Sequence, residues 1–192
     1  MAKLFDRLDE RWRRFIAEQP MYFVATAPDG PSGHVNVSPK GYRDTFAVLD
    51  DTTVAYLDLE GSGVETIAHL RQNGRVTIMF CSFTRSAKIL RLYGRGRVAV
   101  PSDPDWHQLV AHFGPHHGVR TVIVVALDRI ADSCGYSVPR MEEVAERDLL
   151  NTWSQRPDTR ARRAVRSAGA RASIDGLPAL APAETDPAHI HT

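Results

Sequence analysis

The chain has little lysine, little cysteine and no long apolar run. Of its 24 basic residues only Lys3, Lys40 and Lys88 are lysines, and the rest are arginines. Such a bias can follow from base composition alone, so a lysine kept against it mildly singles out Lys40 and Lys88. Two cysteines, Cys81 and Cys134, with no CxxC spacing, exclude a disulfide framework or a dithiol redox motif and fit a reducing compartment. Cys81 follows an apolar strand pattern and reads as core. No apolar stretch approaches the roughly 20 residues of a membrane span, and MAKLFDRLDERWRRF is charged throughout, unlike a signal peptide. A net charge of +1 gives no electrostatic case for nucleic acid or an anionic membrane. No 20–50-residue repeat, HExxH motif or nucleophile elbow is present. A cytoplasmic protein is expected, with no nucleic-acid or membrane partner and no metal.

What remains suits one folded domain with appendages: 192 residues, 43% of them hydrophobic. Phe5, Leu8, Trp12, Phe15 and Ile16 recur at helical spacing and predict an N-terminal amphipathic helix ending before Pro20. Strand patterns then dominate: MYFVATA, HVNVS, FAVL, TVAYLD, RVTIMFCSF, KILRLYGRGRVAV and GVRTVIVVALDRIADS. The sixth of these is expected to bend or bulge at Gly94 or Gly96. A helix is expected from about Ser62 to a C-cap at Asn73–Gly74, another over Ser102–Phe113, and a third from Met141 to about Gln155. The last carries the apolar stripe Met141, Val144, Ala145, Leu149 and Trp153. Closely spaced strands with short turns predict a small antiparallel barrel. The expected division is a barrel over residues 1–140, a C-terminal helical extension over 141–178, and a disordered Ala/Pro-rich tail over 179–192.

Three segments carry chemistry. In GSGVET, Gly61 and Gly63 allow close backbone approach, Ser62 and Thr66 offer hydroxyls, and the free N–H groups of the following helix attract an anion. Together they can cradle a phosphate; they equally suit a plain helix start with Ser62 and Glu65 as a capping box. In NVSPKG, Pro39 ends the regular ladder and Lys40 follows, either to meet a phosphate or an electron-rich ring or to sit in solvent. TVAYLD runs straight into the glycine turn, so the backbone of Tyr56, Leu57 and Asp58 would flank anything bound there. Tyr56 itself would stack on it or fill the core. Lys88, Arg91 and Arg95 add cations to a later strand, near a phosphate or on a solvent face. His107, His112, His116 and His117 cluster beside Trp106, but the i,i+5 spacing of the first two does not share a helical face.

Taken in order, NVSPKG, TVAYLD, GSGVET, NGRVTIMF and LRLYGRGRV resemble the pyridoxamine 5′-phosphate oxidase-like family of FMN-binding split barrels. The likeness continues through SCGYSVP, RDLLNTW and SIDGLP. It implies a mainly β chain with flanking helices (α+β), a six-stranded antiparallel split barrel of the FMN-binding type. It also implies a homodimer with FMN at the subunit interface. Carried onto this chain, Val37, Ser38, Pro39, Lys40 and Gly41 would run along the isoalloxazine ring. Tyr56, Leu57 and Asp58 would form the neighbouring strand, and Ser62, Gly63 and Thr66 would hold the phosphate. Lys88 and Arg91 would come from the partner subunit. The phosphate turn is Gly/Ser/Glu/Thr here where the vitamin B6 oxidases are rich in Arg and Lys, and SIDGLP stands where they carry Arg-x-His. The expectation is therefore an FMN-dependent oxidoreductase acting on a small molecule other than pyridoxamine phosphate. A deazaflavin-dependent reductase, a haem-binding split barrel using one of the clustered histidines, and a non-catalytic flavin binder stand as alternatives. No catalytic residue is assigned.

Overall fold

In a computed structural model of the chain, residues 3–61, 63–142, 145–156, 165 and 168–185 are described. Eight strands form one antiparallel sheet. In chain order they are β1 (Lys3–Phe5), β2 (Tyr22–Thr26), β3 (Asn36–Lys40), β4 (Phe46–Val48), β5 (Thr53–Leu59), β6 (Arg75–Cys81), β7 (Lys88–Ala99) and β8 (Val119–Cys134). The spatial order is β3-β2-β6-β7-β8-β5-β4, with β1 pairing the far end of β8. The sheet curls until its two ends meet. Lys40 on β3 reaches Asp58 on β5 at 3.4 Å. The Tyr22 and Phe46 rings, from β2 and β4, meet with centroids 5.0 Å apart. β3 and β5 share no ladder, so the barrel is split along that seam.

The alternating strands place one face inside. Val24, Tyr56, Ile78, Leu90, Leu92, Ile123 and Ile130 are fully or almost fully buried in one cluster. One end is plugged by α1 (Glu10–Glu18), which buries Trp12, Phe15 and Ile16. The helix starts later than its apolar spacing suggests because the Asp9 carboxylate caps the Trp12 N–H at 3.0 Å. Phe5 and its neighbours become β1 instead, one of the two strands beyond the expected six. α2 (Glu65–Asn73) ends, as its sequence predicts, on Gly74 at φ 71°. The expected irregularity in β7 falls at Gly94. The β7–β8 register slips between Tyr93 and Gly94, and a Cβ on Gly94 would lie 2.1 Å from the Ala126 carbonyl oxygen. Only glycine allows that approach.

Two expectations fail at the C-terminal end. Among the described residues the predicted Met141–Gln155 helix is present only as α4 (Leu149–Ser154), and Met141 and Leu149 are both exposed. Helices in proteins are held mainly by packing, and Met141 and Leu149 of this stripe stay in solvent. Val144 lies outside the described residues, as does most of the Arg156–Arg171 segment. The expected disordered tail is, as far as Leu180, part of the core. Ala179 and Leu180 are buried with Ala170 in the main cluster. Arg71 anchors this stretch by donating to the Ala179 carbonyl and to both oxygens of Glu184. α3 (Trp106–Val110) is shorter than expected and buries Trp106 and Leu109 against the outer side of β5 and β8.

Candidate functional site

A cleft of about 350 Å³ opens on the seam between β3 and β5, within the size range of small-molecule sites. Val37, Ser38, Pro39 and Lys40 form one wall. Asp58, Leu59 and Arg120 form the other, and Gly61, Gly63, Val64, Glu65, Thr66 and Ile67 close the end at the start of α2. β3 can serve as a wall because it is an edge strand. Pro39 sits opposite Phe23 in the β2 ladder, and an edge tolerates its missing N–H. Val37 stays 61% exposed.

An ion cluster sets the electrostatics. The Asp58 side chain is only 2% exposed and accepts from Arg120 at 2.8 Å and Lys40 at 3.4 Å. Burial alone would push its pKa up. The Arg120 guanidinium, then the Lys40 ammonium, outweigh that and hold the carboxyl below its usual range. Arg120 also donates to the Gly63 carbonyl at 3.0 Å, which ties β8 to the glycine turn. Lys40 Nζ lies 5.9 Å from the centre of the Tyr56 ring.

A neutral network completes the far wall. Asn36 Nδ2 donates to Thr26 Oγ1 at 3.1 Å and to Thr66 Oγ1 at 3.0 Å, while Asn36 Oδ1 accepts from Ser38 Oγ at 2.9 Å. Thr26 Oγ1 is 3.0 Å from Nδ1 of His69, a fully buried ring whose burial pushes it below the usual histidine range. Neutral His69 can accept there, leaving Thr26 as donor. Thr66 enters the network as an acceptor, so its own proton can be offered to a ligand. Among the described residues, no side chain caps the first turn of α2. The alternative reading of a Ser62–Glu65 capping box rests in part on Ser62, which lies outside the described residues. Glu65 accepts from the Ile174 N–H at 3.2 Å.

Of the residues singled out from sequence, Val37, Ser38, Pro39, Lys40, Asp58, Gly63 and Thr66 line this cleft. Gly41 follows the β3 wall without lining it. Tyr56 and Leu57 do not line it: Tyr56 packs on Tyr22 inside the barrel, below Lys40, and Leu57 faces the other way into the α3 cluster. Lys88 and Arg91 are elsewhere in the same chain. Lys88 Nζ sits 5.7 Å from the Trp12 ring, and Arg91 donates to Ser133 at 2.8 Å. The histidine cluster disperses: His107, His112 and His117 are exposed, while His116 packs on Tyr42 and faces Asp44 at 3.0 Å. Among the described residues no group of three His, Cys, Asp or Glu comes together as a metal site. Sequence reading missed Arg120 and Asn36. Arg120 had a signal, since it is the one charge interrupting GVRTVIVVAL.

Fold and cleft together define a split β-barrel with a small-molecule cleft on its seam. The family model for pyridoxamine 5′-phosphate oxidase matches residues 8–134. A pyridoxamine 5′-phosphate oxidase family protein of Aspergillus flavus, ustO, is 42% identical over 145 residues, covering 74% of this chain. The chain belongs to the pyridoxamine 5′-phosphate oxidase family. It spans 58% of the length of that fungal relative. Among solved structures, a Lactobacillus delbrueckii protein provisionally named a pyridoxamine 5′-phosphate oxidase superposes with a TM-score of 0.53 at 18% identity, over 67% of this chain and 98% of that one. A variant of HupZ from Group A Streptococcus gives a TM-score of 0.50 at 21% identity, over 66% and 99%. Both likenesses concern the fold. No helix among the described residues is long and apolar enough to cross a membrane.

Proposed function

We propose that the seam cleft binds FMN and that the protein is a flavin-dependent oxidoreductase acting on a small molecule, as a homodimer in the cytoplasm. The observation that carries this reading is the convergence, in one cleft, of a helix start that no described side chain caps, a hydroxyl with a donatable proton and an exposed edge strand. The residues fit the group. The first-turn N–H groups of α2 and Thr66 would take the phosphate, with the open space beside Gly61 leaving room for it. Val37 to Gly41 would lie along the ring, and Lys40 would be the cation nearest it. Asp58 and Arg120 fix Lys40 and the glycine turn so that neither must reorganise on binding. Bound flavin would supply the electron chemistry; the protein would supply orientation and exclusion of water. Lys88 and Arg91, remote from the cleft within one chain, would reach it from the partner subunit. The turn segment Gly61–Thr66 itself carries no Arg or Lys, unlike that of the vitamin B6 oxidases, so a different substrate is expected.

The test is retention of flavin. Protein mixed with FMN and passed through a desalting column should keep one FMN per chain, with visible bands displaced from those of free flavin. Elution of all the flavin with the small molecules would refute the reading.

A further inference from the structure

The geometry points to Glu65 as the residue that sets how strongly the cleft holds an anionic phosphate, through a negative charge placed at the cleft's own phosphate end. This rests on the reading of the cleft as an FMN site. Glu65 is the first residue of α2 and lines the cleft beside Thr66. Its carboxylate folds back over the glycine turn: a Cβ built on Gly63 would fall 2.2 Å from Glu65 Oε2. That is the surface a phosphate would approach to reach the free N–H groups and Thr66. Glu65 is held there from outside, because its Oε1 accepts the Ile174 N–H at 3.2 Å. Ile174 is held in turn by its neighbour. Asp175 accepts from the His34 backbone N–H at 2.8 Å and meets the His34 ring at 2.7 Å.

The charges around the cleft therefore cancel. Lys40 and Arg120 are opposed by Asp58 and Glu65, and Asp58 already engages both cations. Asp58 offsets one of the two positive charges, and Glu65, which has no cation of its own among the described ion pairs, offsets the other at the phosphate end. A dianionic phosphomonoester would meet both the favourable helix start and this opposing carboxylate. The uncharged ribityl chain of riboflavin would meet neither. Glu65 thus lowers the preference for FMN over riboflavin, and it couples the cofactor end of the cleft to the docked C-terminal segment.

The experiment is the ratio of riboflavin to FMN dissociation constants, measured by quenching of flavin fluorescence, in the full chain and in Glu65→Gln. Glutamine keeps the carbonyl that accepts the Ile174 N–H, so the C-terminal contact survives while the charge is lost. The ratio is expected to rise about tenfold, almost wholly through tighter FMN, the size of effect one nearby charge produces. The gain should shrink at high salt. An unchanged ratio, or equal tightening of both flavins, overturns the inference and leaves the FMN reading standing. Failure of the unsubstituted protein to bind FMN overturns both.

Discussion

At the residue scale, the cleft rests on Asp58 and Thr66. Asp58 is buried with two cations, and removing its charge strands both. Asp58→Asn should lower stability at neutral pH by about 3–5 kcal/mol, read from urea denaturation. Its carboxyl is held below the ordinary range, so the stabilisation is present above the unfolded value of about 3.9 and is lost as pH falls through the lower folded value. The gap between the two proteins should therefore stay constant from neutrality to about pH 4 and close only below it. A gap that closes at higher pH would mean that Asp58 is not the ionised partner. Thr66→Ala should weaken FMN by about 1.5–3 kcal/mol, the worth of a hydrogen bond to a charged group, and riboflavin far less. Equal losses would place the phosphate elsewhere. Most of these residues are legible in the sequence because glycine turns, a proline-broken edge and a lone lysine are local signals. Arg120 and Asn36 were not found, because their roles come from strands 57 and 30 residues from their partners Gly63 and Thr66. Tyr56 and Leu57 were placed one step too generously. Strand alternation puts Leu57 on the face opposite Asp58, while Tyr56 shares the face of Asp58 but lies one pair deeper, packed on Tyr22 in the barrel.

At the element scale, the decisive device is the slip between β7 and β8. Asp128 is the extra residue on β8, and Gly94 lies so close to the Ala126 carbonyl that any side chain must push the strands apart. Gly94→Ala should cost about 1–3 kcal/mol, whereas alanine at Gly61, with only the Leu59 carbonyl 3.8 Å from a built Cβ, should be tolerated by the fold. Thermal unfolding of the two variants checks the contrast. The bulge could be anticipated from glycine inside a strand pattern. The fate of the Met141–Gln155 stripe and of the Ala179–Leu180 tail could not. Both depend on whether an apolar surface is waiting elsewhere: none for Met141 and Leu149, and a vacant stretch of core beside α2 for Leu180. The short first strand was hidden for a related reason, since Phe5 has the spacing of the helix that Asp9 then starts without it.

At the scale of the whole molecule, β3 is an unpaired edge that leaves Val35 71% and Val37 61% exposed, the kind of apolar edge that proteins normally cover. A second copy is the proposed cover. It would also bring Lys88 and Arg91 to the cleft. Light scattering should give twice the 21.3 kDa chain mass. Val35→Asp should shift the protein towards monomer and weaken FMN, although Val35 does not line the cleft. A monomer with full FMN affinity would refute a shared site. The most direct measurement is a crystal structure of the protein with FMN. The phosphate should lie within hydrogen-bond distance of Thr66 Oγ1 and the first N–H groups of α2, with the ring along Val37–Gly41. Flavin seated instead in the separate hollow between α1 and β4, lined by Ile16, Tyr22, Phe46 and Phe80, would contradict the seam as the cofactor site.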